Sequence, residues 1–322
     1  MRFEQKWVLS VACGKSQEPL LKAAKKQGYS IIGVDQSPSS DLVDFPIRLS
    51  THDTEKVLFE LKNGDYPKFD AVLCRSSGPA VRTAQVVADY FHLPSCGSLI
   101  AESSVSKFVL HENCMKLGIP TIPCLQASHC KYLPPDWAEV VIKPSQPIYG
   151  KKNVYKSKAI EDNNDYINLC CNESLDGKAV IQPYIRGNDI AVSAMCLYGR
   201  VLSIFPFLEN NHFQGGRIQH QGLSAQAKPL PTSALKDIMS SATQVIAHSN
   251  ASGFVFFTFR LINNLNCLLY EVNPGLCGDD IVEGYFQKTF PDFDFFDADV
   301  SLMTGIEPKN PVFAASPSLD RS

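Results

Sequence analysis

Residues 253–280 read GFVFFTFRLINNLNCLLYEVNPGLCGDD, and the fold turns on how that stretch is read. Apolar residues alternate on either side of Asn263-Asn264-Leu265-Asn266, the pattern of two antiparallel strands joined by a turn. Strands are expected over 254–261 and 268–272, the second halted by Asn273-Pro274-Gly275. Side chains on a strand repeat with a period of two, so Glu271 and Asn273 leave the second strand on one face. A carboxylate and an amide oxygen side by side are hard ligands of the kind Mg²⁺ takes, usually together with substrate phosphates. A strand-end Glu beside a turn Asn is the plainer reading of the same pair.

The wording of the segment carries a resemblance. EVNPGLCGDD resembles the metal-binding end of the ATP-grasp superfamily, where a strand finishes in E-x-N-P-R or E-x-N-x-R. The preceding strand in that superfamily holds a further metal ligand in a G-x-x-x-x-(E/D/Q)-F pattern, and residues 253–259 repeat the spacing. Two positions depart from it. Thr258 stands at the acidic or amide ligand, and Gly275 stands at the arginine. The resemblance assigns Mg²⁺ to Glu271 and Asn273. It also likens the stretch through Asp279 and Asp280, which is expected to start a short helix, to the G-G-D ending of amino-acid and dipeptide ligases.

Working upstream, the resemblance continues in order. SKFVLHENCMKLGIPTIP, residues 106–123, resembles the segment whose helix-start lysine reaches the ATP phosphates, which makes Lys107 that residue. WAEVVIK reads as a strand ending in Lys143-Pro144, and the resemblance places Lys143 on a phosphate and the adenine side. The glycine-containing flap then falls at Gly150, with Asn153 at a second glycine position and Lys151 and Lys152 adding charge. Asn tolerates positive φ better than most residues, so the turn can survive there. AVIQPYIRGND, residues 179–189, resembles the hinge over the base. It implies Gln182, Pro183, Tyr184 and Ile185 along the adenine and Asp189 on the ribose hydroxyls. The stretch 209–224, ENNHFQGGRIQHQGLS, reads as a long polar loop near the second substrate. Arg217 is the candidate there for a carboxylate or an acyl-phosphate, because a guanidinium binds such groups in a two-pronged way. His212 and His220 are lesser candidates, and a helix over 233–249 leads back to Gly253.

At the amino end, WVLSVAC is a continuous apolar run of the buried parallel-strand kind, followed by a helix ending at Gly28 and a strand closing at Asp35. That is a βαβ unit. Only Gly14 lies in its first turn, so the dinucleotide fingerprint is missing and Asp35 on a ribose is poorly supported. A strand over 69–74 and a helix over 80–91 follow. Arg75 and Ser76 fall in the loop where open α/β sheets place ligands, although Arg75 is as readily a solvated surface residue. This part resembles the domain that precedes many ATP-grasp modules.

Composition bounds the rest. The 322 residues are 44% hydrophobic and 20% charged, an ordinary globular mixture long enough for two or three domains. A net charge of −3 argues against a nucleic-acid surface. No run of 18 apolar residues spans a membrane, and the amino terminus enters a strand without a signal-peptide pattern. The eleven cysteines are scattered without C-x-x-C, and Cys124, His129 and Cys130 make only a weak zinc pattern. A reducing cytoplasmic setting follows.

The expected fold is therefore α/β: an N-terminal Rossmann-like parallel-sheet domain at 1–103, then two α+β ATP-grasp subdomains at 104–185 and 186–310 that sandwich ATP. Residues 311–322 are expected to be a disordered tail. The implied activity is ADP-forming carboxylate–amine ligation with ATP and Mg²⁺ on small-molecule substrates, with Lys107 and Arg217 catalytic. A homodimer is left open. Two alternatives also stand: an ATP-grasp protein that binds nucleotide without turnover, for which Thr258 and Gly275 speak, and an ATP-grasp enzyme of carboxylation or phosphoryl-transfer type.

Overall fold

The computed structural model describes residues 5–128, 133–148, 153–159, 162–214, 217–224, 230–263, 265–276, 278, 282 and 286–308, with side chains left out over 211–224 and at residue 288. Gly150, Lys151, Lys152, His129, Cys130, Asp279, Asp280 and the tail 311–322 lie outside them.

The first unit runs β1 (Lys6–Val11), α1 (Glu18–Lys26), β2 (Tyr29–Asp35), β3 (Phe45–Arg48), α2 (Thr54–Asn63), β4 (Val72–Leu73) and α3 (Pro79–Phe91). Its four strands form a parallel sheet in the order β3-β2-β1-β4. The apolar run of β1 buries Val8, Leu9 and Val11 completely, as a strand covered on both faces must. Strand order reverses between β1 and β4, so the loops after them, at Cys13-Gly14 and Cys74-Arg75-Ser76, part at the sheet's carboxyl edge. The strand expected over 69–74 shrinks to two residues. β3 goes unread from sequence because only Ile47 of its four residues is buried, and its proline suits an edge.

The rest of the chain runs α4 (Ser98–Val105), α5 (Lys107–Leu117), β5 (Leu125–Ala127), β6 (Glu139–Pro144), β7 (Tyr155–Lys158), α6 (Asn164–Asn172), β8 (Ala179–Pro183), β9 (Asn188–Leu197), β10 (Arg200–Gln214), β11 (Arg217–Ser224), α7 (Thr232–Ser249), β12 (Gly253–Ile262) and β13 (Asn266–Pro274). A helical turn Gln287–Thr289 and a last helix Phe295–Met303 follow. One antiparallel sheet takes all nine strands in the order β13-β12-β9-β10-β11-β7-β6-β8-β5. Its two halves meet where Arg217 of β11 pairs with Tyr155 of β7.

That arrangement corrects the reading of 209–224 as a loop. Residues 209–214 are the second half of β10 and 217–224 are β11. The stretch is mostly polar in sequence and shows no regular apolar alternation. Backbone pairing with β9 and β7 holds it instead.

The two faces of β9 and β12 differ. Ile190, Val192, Ala194, Val255, Phe257 and Phe259 pack beneath α4, α5 and α7 as an aliphatic core with two phenylalanines. On the other face Ala191, Phe207, Phe254 and Phe256 meet Phe286 and Phe295. Phe286 stacks on Phe295 at 4.9 Å, and the Phe207 ring stands edge-on to Phe286 at 5.4 Å. The last helix also packs on the first unit, Val300 among Val8, Leu20 and Leu21. Lys26 pairs there with Asp294 at 3.1 Å and with Asp297. A small cavity of about 40 Å³ lies at this junction, lined in part by Cys74, Cys96, Gly253, Gly275 and Asp299.

Candidate active site

The hairpin forms as read. Leu265 N donates to Ile262 O at 2.9 Å and Asn263 takes φ +49°, a value Asn accepts readily. Glu271 and Asn273 are half-buried on β13, and Asn273 Nδ2 donates to Glu271 Oε1 at 3.4 Å. Thr258 of β12 is the register partner of Glu271. A bulge beside that pair, between Thr258 and Phe259, was not legible in the sequence. It leaves Tyr270 as the extra residue, so Tyr270 and Glu271 both line the cleft while Leu269 and Val272 stay buried.

Cross-strand pairing then sets the site out in rows. Glu209, Asp189 and Arg260 are partners across β10, β9 and β12. Phe207, Ala191, Thr258 and Glu271 form the next row, and Phe205, Ser193, Phe256 and Asn273 the one after. Polar groups occupy one end of the face and aromatic rings the other. Glu209, Arg260 and Tyr270 were not singled out from the sequence. Arg260 sits two residues from Thr258, and Tyr270 adjoins Glu271; period two and the bulge put both into the cleft.

The other half of the cleft supplies Lys143 from β6 and Gln182 from β8, both buried. Lys107 opens α5, where the Ser106 hydroxyl accepts from Val109 N at 3.3 Å. Its backbone N donates to Ser145 O at 3.1 Å, which docks the helix start onto the end of β6. All three approach the buried Cys124. Burial pushes the Cys124 thiol up to about 11, against the opposing pull of Lys143, a Gln182 hydrogen bond and Lys107. Lys143 also reaches across the cleft, its Nζ 5.6 Å from the centre of the Tyr270 ring. Tyr184 N donates to Glu139 O at 2.8 Å. Asn153 takes φ +59°, the positive φ that its residue type is expected to tolerate.

Charge in the cleft is mixed. Burial drives the Tyr270 hydroxyl well above its ordinary range, and the charges of Asp189, Glu209 and Glu271 push the same way while Arg260 opposes them. Asp189 is paired: its Oδ1 lies 2.8 Å from Arg260 Nε, and its Oδ2 accepts from Arg260 Nη2 at 3.3 Å.

These groups fit a divalent cation in part. The Thr258 hydroxyl is completely buried and has no hydrogen-bond partner among the described residues. It stands opposite Glu271, so three oxygen donors, with Asn273, adjoin one another. Among the described residues no group of three His, Cys, Asp or Glu could hold a metal. A cation here must take the rest of its ligands from phosphate or water.

The backbone at Gly275 favours a glycine. It takes φ +83°, and a Cβ there would lie 3.3 Å from Cys74 O. The strand end therefore abuts the loop after β4, with Gly275 N donating to Phe254 O at 2.7 Å.

One other expectation is corrected. Arg75 is neither solvated nor open to a ligand: it is buried over the Phe296 ring at 4.8 Å and donates through Nη1 to Ser16 O at 2.9 Å. Asp35, poorly supported as a ribose ligand from the sequence, accepts from Ser37 N in its own turn and from Cys13 N in the loop after β1, at 2.9 Å each. The backbone of Arg217 pairs in β11, but its side chain and those of His212 and His220 lie outside the described residues.

No family model and no curated protein matches the sequence. Solved structures match over nearly the whole chain. Phosphoribosylglycinamide synthetase from Anaerococcus prevotii covers 94% of this chain with 76% of its own length, at 15% identity and a TM-score of 0.70. L-amino acid ligase from Bacillus licheniformis covers 95% with 76% of its own, at 16% identity and 0.70. N5-carboxyaminoimidazole synthetase from Staphylococcus aureus, complexed with ADP, covers 96% with 80% of its own, at 15% identity and 0.70. At these identities the likeness is one of fold. No helix among the described residues is long and apolar enough to cross a membrane.

Proposed function

The chain has the ATP-grasp fold, and from that premise we propose a magnesium- and ATP-dependent ligase that joins a carboxylate to an amine through an acyl-phosphate. The observation that carries the reading is that buried Lys143 and Gln182, on paired strands with the start of α5 docked beside them, face a cleft whose other side presents Glu271, Asn273 and Thr258. The reading divides the chain into units at 1–103, 104–185 and 186–310, with ATP between the second and third. Gln182, Pro183, Tyr184 and Ile185 line the base, Asp189 accepts from the ribose, and Gly150 belongs to the covering flap. Lys107 and Lys143 hold phosphate oxygens as donors whose charge strengthens each hydrogen bond. Glu271 and Asn273 would hold Mg²⁺, which supplies charge neutralisation on the phosphates when bound. Arg217 is assigned to the substrate carboxylate or the transferring phosphoryl group. Most of the rate would come from positioning and from preset charge. The substrates are small molecules, and the setting is the cytoplasm. L-amino acid ligase is among the proteins of like fold, so amino acids are the first acceptors to try.

A second reading has its own observation. Gly275 sits in a left-handed conformation with Cys74 O close by, where a side chain would be strained, and Thr258 offers a hydroxyl in place of a carboxylate. A protein that binds nucleotide without turning it over would have such a site. ADP release over a matrix of amino-acid pairs separates the two. Release that depends on both partners, and that Glu271→Ala lowers by about a hundredfold or more, supports the ligase. Calorimetric ATP binding with no ADP from any pair supports the inert form.

A further inference from the structure

Arg260 has no part in the ligation chemistry set out above, yet it contacts both the Asp189 carboxylate and the backbone carbonyls of Ile185 and Gly187. We propose that Arg260 is the positioning residue of the nucleotide cleft: it presets the Asp189 carboxylate to read ribose hydroxyls and clasps the segment that joins the cleft's two halves. The proposal rests on the reading of this cleft as an ATP site.

The guanidinium binds on two sides. Toward β9, Nη2 donates to Asp189 Oδ2 at 3.3 Å, and Nε lies 2.8 Å from Oδ1 as an ion-pair contact whose angle falls short of a hydrogen bond. Toward the segment after β8, Nη1 donates to Ile185 O at 2.9 Å and to Gly187 O at 3.4 Å. The side chains are 14% and 7% exposed, so water competes little for this pair. Only a planar fork reaches a carboxylate and two carbonyls at once; an ammonium is a single point of charge.

A second observation is independent of the hydrogen bonds. Residue 187 is a glycine on which a Cβ would lie 2.1 Å from Leu261 O and 3.1 Å from Arg260 Cδ. The connecting segment therefore lies directly on the backbone of β12 and on the arginine's stem. The guanidinium carbon is also 6.0 Å from the centre of the Tyr184 ring and 5.9 Å from that of Tyr270, one ring from each half of the cleft.

Charge gives a third. Asp189 and Glu209 are direct cross-strand partners, a placement that is unfavourable for like charges. Arg260 is the partner of Asp189 on its other side. With Arg260 in place, Asp189 keeps one orientation before a nucleotide arrives. Hydroxyl donors then meet an acceptor already ordered, and its ordering is not charged against binding.

Affinities of ADP and 2′,3′-dideoxy-ADP, measured by calorimetry for the parent, Arg260→Met and Arg260→Lys, test this. The parent should prefer ADP by about tenfold or more, the worth of a hydrogen bond to a charged acceptor. In Arg260→Met the preference should fall to roughly threefold or less, through loss of ADP affinity with the dideoxy nucleotide little changed. Arg260→Lys keeps charge and stem but not the fork, and should resemble the Met variant; it carries the test alone if Arg260→Met does not fold. A preserved preference in both variants, or equal losses for the two nucleotides, overturns the role of Arg260. A parent that binds both nucleotides equally overturns it too and leaves the nucleotide site standing. A parent that binds neither removes the ATP site itself.

Discussion

The two faces of β9 and β12 are built from the same strands and obey different rules. Beneath α4, α5 and α7 every second residue is apolar and the core is continuous, from Ile190 and Val192 to Phe257 and Phe259. On the opposite face the alternate residues run from carboxylate and guanidinium, at Asp189 and Arg260, through Ala191 and Thr258, to the aromatic layer at Phe256 and Phe254. One face holds the sheet together. The other tolerates buried charge at one end because Asp189 and Arg260 pair there, and rings close it at the other. The lesson is that burial alone does not locate the site, since Thr258 and Phe257 are neighbours with no exposed surface and opposite surroundings.

The largest effect that tests the contrast is Phe257→Ala. It removes a fully buried ring from the continuous core and should cost about 3–5 kcal/mol of stability. Urea unfolding reads it directly. Nucleotide affinity, measured on the fraction still folded, should stay near the parent's. Equal loss of affinity and stability would mean that the two faces are not separable.

What the sequence made legible follows the same division. The alternation around Asn263 placed the hairpin and set Glu271 and Asn273 on one side, because a buried core behind them fixes the register. The first βαβ unit was legible for the same reason, from the apolar run of β1. Residues 209–224 were not, since a strand stabilised by backbone pairing leaves no period in its side chains. Nor was the bulge at Tyr270, a one-residue event that alternation cannot register. Arg260 escaped because a polar residue in a strand reads as its solvated face, whereas here that face is the cleft.

An intermediate effect lies at the far end of the second face. Asp299, on the last helix, is buried against β12 beside the 40 Å³ cavity. Burial raises its carboxyl to about 7, more than a backbone hydrogen bond from Phe254 and the charge of Arg75 pull it down. The folded chain therefore keeps a proton that the unfolded chain has released above its ordinary value of about 3.9. Between those values the unfolded state binds fewer protons, so this group's contribution makes stability fall as pH rises, and the fall ends above pH 7. Asp299→Asn should remove that slope. Relative to the parent it should gain on the order of 2–4 kcal/mol between pH 4 and pH 8, read from unfolding midpoints at each pH. An unchanged difference across that range would place the carboxylate in a charged, compensated setting instead.

The smallest effect bears on the middle row, where Thr258 faces Glu271. Aspartate is close to threonine in size, so Thr258→Asp adds a second carboxylate without filling new volume, whereas glutamate would overpack a fully buried position. Without a divalent cation, two carboxylates on directly opposed residues repel, and the new one has no water to solvate it, so the variant should lose about 1–3 kcal/mol of stability. With one, both oxygens become ligands, and binding to the folded state alone returns stability by mass action. Thermal unfolding of the parent and of Thr258→Asp, with Mg²⁺ and with a chelator, therefore has a signed expectation. The variant should unfold lower than the parent in chelator and gain more from added Mg²⁺. The readout needs no turnover, so it judges the metal pair apart from the ligase reading. A variant that gains no more from Mg²⁺ than the parent does would show that the buried hydroxyl of Thr258 faces no cation, and would leave Glu271 and Asn273 as a strand-end pair.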